Sequence, residues 1–225
     1  MKIVLTREAG HNEVLRSLVP DEAQIIEVPL TRTHYFSVEH VDAELRASPH
    51  FGSFETLVVT SPRSQEYLGV ARDALAADAQ VLSVGRATTR ALVHEGITVT
   101  AESEGSAADL ADVIERGPVL LLGAGIIRDE LPDALHKRGV RIAHVVCYET
   151  LPVAIDDEGV AALRSADVVF IGAPSAWHVA QEFIAPSTWV VVPGLTTAGE
   201  VRATHERVIE GWEPSLRDIL ATLED

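Results

Sequence analysis

The sequence predicts an α/β protein made of two domains of one kind, each organised around a parallel sheet. Apolar runs such as Val119-Leu120-Leu121-Leu122 and Val168-Val169-Phe170-Ile171 are continuous, as in strands covered on both faces. Helical patterns alternate with these runs along the chain, the arrangement that parallel sheets require. A degenerate repeat completes the argument. Thr60-Ser61-Pro62-Arg63-Ser64 resembles Gly172-Ala173-Pro174-Ser175-Ala176, and Gly85-Arg86-Ala87-Thr88-Thr89 resembles Gly194-Leu195-Thr196-Thr197-Ala198. Each member follows a strand and precedes a helix, which two similar domains explain better than one large sheet.

In chain order, Lys2 to Leu5 is a short apolar strand ended by Thr6-Arg7. A helix through about Leu18 follows, with Val14, Leu15 and Leu18 on one face. Ile25 to Val28 is a strand, Thr31 to Val38 a polar and aromatic linker, and Val41 to Ala47 a helix closed by Ser48-Pro49-His50. Thr56 to Thr60 is a strand. Ser61 as N-cap and Pro62 at the first helical position then start a helix continued by Tyr67 to Leu75. Val81 to Val84 is a strand, and Gly85 turns into a helix ending near Gly96. Thr98 to Thr100 is a short strand, and Gly105-Ser106 caps a helix through Ile114. Val119 to Leu122 is a strand, Gly123-Ala124-Gly125 a turn, and Leu131 to Lys137 a helix closed by Gly139. After the strand from Ile142 to Tyr148 the plan repeats. A helix runs from Val160 to Leu163, strands run from Val168 to Ile171 and Trp189 to Val192, and Ser215 caps a last helix to Leu223.

Two strands that stop at a proline divide the chain. They are Ile25-Ile26-Glu27-Val28-Pro29-Leu30 and Val145-Val146-Cys147-Tyr148-Glu149-Thr150-Leu151-Pro152, read as neighbouring crossings. The chain leaves one domain at the first and returns to it at the second. This gives a discontinuous domain of residues 1–33 and 151–225 and an inserted domain of residues 34–150. Tyr148 then stands where two domains face each other, a preferred place for a ligand cleft. Local pattern by itself also allows, and favours, an ordinary strand aromatic with its hydroxyl in water.

Composition narrows the function. A formal charge of −16 argues against nucleic acid, which needs a dense basic surface. It leaves room for a small anion held by backbone N–H groups at helix starts with a few arginines nearby. The single cysteine, Cys147, excludes an intramolecular disulfide and points to a reducing compartment. The start of the chain is charged too early for a signal-peptide core, and no apolar run reaches membrane-spanning length. The expectation is a soluble cytoplasmic protein.

In open parallel sheets, ligands lie beyond the carboxyl ends of the strands. The turns there are Thr6-Arg7, Thr60-Ser61, Gly85 to Thr88, Gly123 to Gly125, Gly172 to Ser175 and Gly194 to Thr197. Their glycines, hydroxyls and free N–H groups suit carboxylates or phosphates. Taken singly, each reads first as an N-cap or a tight turn; aimed together at one cleft, they favour a binding role. Sharper motifs fail. Gly123-Ala124-Gly125-Ile126-Ile127-Arg128 imitates a dinucleotide fingerprint, but Arg128 replaces its third glycine. No Walker pattern, nucleophile elbow, histidine pair at helical spacing or strand-end lysine occurs. Trp177, Trp189 and Trp212 are read as packing residues. A site of hydroxyls, backbone donors, the arginines Arg7, Arg63, Arg86 and Arg128, and one tyrosine can hold a polyanion. Through a phenol donor it can help a leaving group depart.

These pieces together resemble the uroporphyrinogen-III synthase family. The resemblance rests on Leu5-Thr6-Arg7, Val28-Pro29-Leu30, Val59-Thr60-Ser61-Pro62-Arg63, Val84-Gly85-Arg86-Ala87-Thr88, Leu131-Pro132-Asp133-Ala134-Leu135, Val146-Cys147-Tyr148-Glu149-Thr150 and Pro193-Gly194-Leu195-Thr196-Thr197-Ala198. It implies two flavodoxin-like domains joined by a two-stranded β-ladder, with the active site in the cleft between them. It implies a cofactor-independent lyase of tetrapyrrole biosynthesis. The substrate is hydroxymethylbilane, a linear tetrapyrrole bearing carboxylates, which loses water and closes with its last ring inverted through a spiro intermediate. By the resemblance Tyr148 is the catalytic residue that helps the hydroxyl leave. By it too, Thr88 and Thr196 or Thr197 match cleft threonines, and Ser61 and Ser175 match serines whose backbone holds substrate carboxylates; with Thr6, Arg7, Thr60, Arg63, Gly85 and Gly123 of the same turns they are the expected substrate-binding residues. No cofactor, metal, nucleic acid or membrane is expected. A monomer is expected, with transient contact with hydroxymethylbilane synthase. One departure stands out: the family's Ser-Pro-Ser turn reads Ala173-Pro174-Ser175 here. It motivates an alternative, a non-catalytic ligand-binding or regulatory module of the same fold.

Overall fold

The computed structural model describes residues 1–103, 107–127 and 129–224, so the predicted Gly105-Ser106 cap and Arg128 lie outside the described residues. The chain divides into two compact units, Met1–Thr33 with Leu151–Asp225, and His34–Thr150.

Along the chain the elements are β1 (Lys2–Leu5), α1 (Glu13–Arg16), β2 (Gln24–Glu27), β3 (Thr31–Tyr35), α2 (Val38–Ala47) and β4 (Phe54–Val59). Then come α3 (Leu68–Asp73), β5 (Leu75–Val84), α4 (Arg86–His94), β6 (Ala101–Ser103), β7 (Val119–Ala124), α5 (Glu130–Lys137) and β8 (Ile142–Pro152). The last are α6 (Asp157–Arg164), β9 (Val168–Phe170), α7 (Pro174–Ala180), β10 (Trp189–Val192), α8 (Leu195–Arg202), β11 (Val208–Glu210) and α9 (Leu216–Ala221).

The sheet of the first unit has the order β2-β1-β9-β10-β11, and each neighbouring pair is parallel. Numbered along the chain within that unit, this is the 2-1-3-4-5 order of a doubly wound sheet. The second sheet reads β3-β8-β7-β4-β5-β6, with β8 through β6 all parallel. The sequence repeat equates β4 with β9 and β5 with β10. On that basis β8-β7-β4-β5-β6 occupies the same five positions as β2-β1-β9-β10-β11.

Both faces of each sheet are covered, which explains the continuous apolar runs. In the first unit Val4, Val169 and Ile171 pack on one side. Ile3, Leu5, Val168 and Phe170 pack on the other. In the second, Leu57, Val59, Leu120 and Leu122 share one face, while Val58, Val119 and Leu121 share the opposite one. Successive residues alternate sides, so no position in these strands has a solvent face to fill with a polar group.

Several expectations need correction. Thr31–Tyr35 is a strand rather than a linker: Thr31, Thr33 and Tyr35 are β-formers at a period of two in a polar edge strand. It is the sheet neighbour of β8, whereas Ile25–Glu27 lies at the edge of the other sheet beside β1, and Leu30 meets the end of the second stretch by accepting the Val153 N–H at 2.9 Å. Helix α1 closes after one turn, leaving Leu15 and Leu18 buried but Val14 63% exposed. The segment Pro62–Tyr67 after Ser61 is a 3₁₀ helix that only then becomes α3. Only Ala107–Leu110, also 3₁₀, forms where a helix to Ile114 is expected. The expected strand at Thr98–Thr100 falls instead at Ala101–Ser103, because Thr100 N–H and side chain are spent on Val81 at the ladder's start. Gly123 and Ala124 extend β7, and β5 starts earlier, at Leu75. Strand β11 carries too weak an apolar signal, three residues with none buried, to be read in advance. Ser215 is already in helical conformation and makes no side-chain cap. No helix among the described residues is long and apolar enough to cross a membrane.

Replacing Leu120, fully buried between β4 and β8, with alanine should destabilise the protein by about 2–5 kcal/mol. Replacing Val14 with alanine should change stability by less than about 0.5 kcal/mol. Urea denaturation followed by circular dichroism measures both.

Candidate functional site

In each sheet the strand order reverses between two inner strands, the place where ligands bind in doubly wound folds. In the first unit that place lies between β1 and β9. Thr6, 1% exposed, bridges it by donating its hydroxyl to the Phe170 carbonyl at 2.5 Å. Arg7 follows, its guanidinium 5.7 Å from the Trp212 ring. Trp212 also lies against Phe170, so it packs as expected while shaping the surroundings of Arg7.

In the second unit the equivalent place lies between β7 and β4. The Thr60 hydroxyl points at the Leu122 carbonyl at 3.4 Å. Gly123 on β7 lies directly behind it, and a Cβ added there would overlap the Thr60 hydroxyl. Close passage of the two strand ends explains this glycine. Gly85 serves a different need: at φ +77° it starts α4 from a conformation that side chains disfavour. Its repeat counterpart Gly194 is extended, so the two glycines are not equivalent in what they permit.

The helix starts also separate the repeated residues. The Ser61 side chain accepts the Arg63 N–H at 3.2 Å and caps the 3₁₀ helix. Its repeat counterpart is Ala173, which caps without a side chain, whereas Ser175 corresponds to Arg63 and is exposed in the first turn of α7. Thr88 and Thr197 stand three residues after Gly85 and Gly194 and are both buried, at 2% and 4% exposure. Thr196 is exposed at the position matching Ala87.

Tyr148 owes its direction to a break in register. Strand β7 pairs Gly123 with Val146 and then Ala124 with Tyr148, skipping Cys147. The extra residue cancels one step of the strand's alternation. Val145, Cys147 and Tyr148 consequently all reach the same apolar cluster as Tyr67 of the 3₁₀ helix. There the Arg63 guanidinium lies 5.7 Å from the Tyr148 ring, and Tyr35 on β3 lies 6.0 Å from it. Tyr148 is 6% exposed. Tyr35 escapes the sequence reading because Thr31 to Val38 has the composition of a linker; the period-two β-formers are the available signal.

The surroundings of this tyrosine are apolar. Burial pushes the neighbouring Cys147 thiol up to about 11 and the Tyr67 phenol up to about 12. Burial also pushes His144 down, against the opposite pull of its 2.9 Å contact with the Ala124 carbonyl. No group of three or more His, Cys, Asp or Glu among the described residues is placed to hold a metal ion. A cavity of about 530 Å³ lined by Asp167, Ser187, Trp189 and Arg207 lies at the amino ends of β9 and β10, away from every predicted site residue.

Parallel sheets covered on both faces, with polar turns and arginines at their carboxyl ends, define a two-unit α/β protein suited to an anionic small molecule. The chain belongs to the uroporphyrinogen-III synthase HemD family, whose model matches residues 16–217. That span holds every predicted site residue except Thr6 and Arg7. Among solved structures, a mutant uroporphyrinogen III synthase from the extremely thermophilic bacterium Thermus thermophilus is 17% identical with a TM-score of 0.68, over 100% of this chain and 97% of that one. The uroporphyrinogen-III synthetase of Helicobacter pylori is 16% identical with a TM-score of 0.64, over 100% and 99%. The Thermus thermophilus enzyme in another structure is 19% identical with a TM-score of 0.53, over 100% and 98%. These likenesses show a shared fold. No curated protein matches.

Two measurements test the local geometry. Cys147 and Tyr67 lose protons in unfolded chains at roughly pH 8.5 and 10. In the fold both stay neutral to higher pH, so their contribution to stability is complete below about pH 8.5 and is lost as pH rises toward 12. Denaturation midpoints should fall across that window, and less steeply in C147A. Gly123→Ala should destabilise by about 1–3 kcal/mol, and adding Thr60→Ala should recover most of the loss. A double-mutant cycle reads the coupling.

Proposed function

We propose that this chain is a uroporphyrinogen-III synthase: a cofactor-independent hydro-lyase that cyclises hydroxymethylbilane to uroporphyrinogen III. Its two compact units are its two domains, 1–33 with 151–225 and 34–150. It works in the cytoplasm as a monomer and takes its substrate in transient contact with hydroxymethylbilane synthase. The observation that carries the reading is the register break that turns Tyr148 into the apolar cluster beside Arg63, within a chain of this family.

The chemistry follows from that placement. The Tyr148 phenol donates a proton to the substrate's hydroxymethyl oxygen as the carbon–oxygen bond breaks, and water leaves. The lone pair of the attached pyrrole nitrogen stabilises the resulting carbon cation, so the substrate supplies its own electron source. The last ring then attacks that carbon at its already substituted position. The spiro carbon then breaks its older bond to the methylene of the preceding ring, the last ring's unsubstituted α-carbon captures that methylene so that the ring is inverted, and the proton lost there returns to the Tyr148 oxygen as aromaticity is restored. An apolar surrounding keeps water from capturing the cation. The substrate's carboxylates are received by Thr60, Ser61, Arg63, Gly85, Thr88 and Gly123, and by Thr6, Arg7, Ser175, Thr196 and Thr197. The backbone N–H groups of Ala173 and Ser175 remain as donors where the hydroxyl is lost, which favours the enzyme reading over a silent binding module.

Incubation with freshly made hydroxymethylbilane tests the proposal. The type-III product should dominate; only the uninverted type-I product would refute it. Tyr148→Phe should lower turnover by about 10²-fold, with unchanged circular dichroism. A full rate in that variant would remove the assigned role.

A further inference from the structure

We propose that Tyr35 is a substrate-contacting residue, the outer member of a tyrosine pair whose inner member is Tyr148. It offers a stacking face to an electron-rich five-membered aromatic ring of the substrate, next to the ring that loses its hydroxyl. The inference rests on the synthase reading given above.

The backbone next to Tyr35 is tied down within its own unit. Phe36 donates its N–H to the Cys147 carbonyl at 3.1 Å, and its own carbonyl accepts the Tyr67 hydroxyl at 2.7 Å. A strand held in this way places the Tyr35 side chain reproducibly.

That side chain serves no core. Tyr35 is 45% exposed and is the aromatic among the exposed large apolar residues described. It is absent from the apolar cluster that contains Tyr148, Phe36 and Tyr67. Its ring nonetheless lies 6.0 Å from that of Tyr148 at a 45° tilt. A half-exposed aromatic held beside a buried, reactive phenol is what a flat ring needs to dock against. Tyrosine suits the task because it has only two side-chain torsions to fix, so little freedom is lost when the ligand covers it. Arg63 lies near the same inner ring, which puts a cation within reach of the acid groups that such a ring carries.

The test uses the full chain with Y35A and Y35F. Turnover is measured with hydroxymethylbilane, and binding by equilibrium dialysis of uroporphyrinogen III kept reduced under argon. Y35A should raise both KM and the dissociation constant by about tenfold, the scale of one lost aromatic stack. Its kcat should stay within about twofold, and Y35F should recover most of the binding. Constants for a folded Y35A within about twofold of the parent protein, or a fall in kcat alone, overturn the proposal. The two readings separate cleanly. If the parent protein binds the tetrapyrrole more tightly than Y35A yet never turns over, the Tyr35 contact stands and the synthase reading falls. If the parent protein turns over and Y35A is unaffected, only the Tyr35 contact falls. Absence of any binding to the parent protein overturns both.

Discussion

The register of β8 against β7 is the constraint on which the candidate site depends. Up to Val146 the two strands pair residue for residue, and alternate side chains go to opposite faces. Skipping Cys147 puts two successive side chains on one face, which an unbroken strand cannot do. The apolar cluster then holds Cys147 as filler and Tyr148 as its more reachable neighbour. The same stretch continues to Pro152, and the boundary between the two compact units falls within it, after Thr150. One strand therefore serves as core, as site and as connection.

A second theme is how an acidic chain can receive an acidic ligand. The formal charge of −16 sets an unfavourable field at long range, but salt screens it beyond about 10 Å. Close in, the donors are local and fixed. Arg7 lies against Trp212, and Arg63 lies against Tyr148. An aromatic face holds a guanidinium in place through its ring charges. Each unit thus has an arginine beside an aromatic ring near its switch point, Arg7 directly after the bridging Thr6 and Arg63 in the 3₁₀ helix that follows Thr60.

The repeat was the most informative feature of the sequence, and its limits are instructive. It correctly matched the turns after β4 and β9 and those after β5 and β10. Its register sets Ser175 opposite Arg63, so the serine of one turn is not the counterpart of the serine of the other. It sets Thr197 opposite Thr88, but it could not show that both are buried while Thr196 is exposed. Burial depends on which helix face meets the sheet, and two adjacent threonines give no preference. The sheet pairing of Ile25–Glu27 with Val145–Pro152 failed for a related reason. Proline-terminated apolar runs identify strands but not partners, and the polar strand Thr31–Tyr35 had no apolar pattern to announce it.

The sequence by itself determined the alternation of strands and helices, the parallel and doubly covered sheets, the positions of the polar turns and the family to which they point. These follow from local chemistry: apolar runs, capping residues, prolines and glycines act over a few neighbouring residues. Tertiary structure alone decided where Tyr148 points, which tyrosine stands beside it, and why Gly123 must be a glycine. Those outcomes depend on register and close approach between segments dozens of residues apart. A one-residue slip there moves a side chain to the other face without changing any local signal.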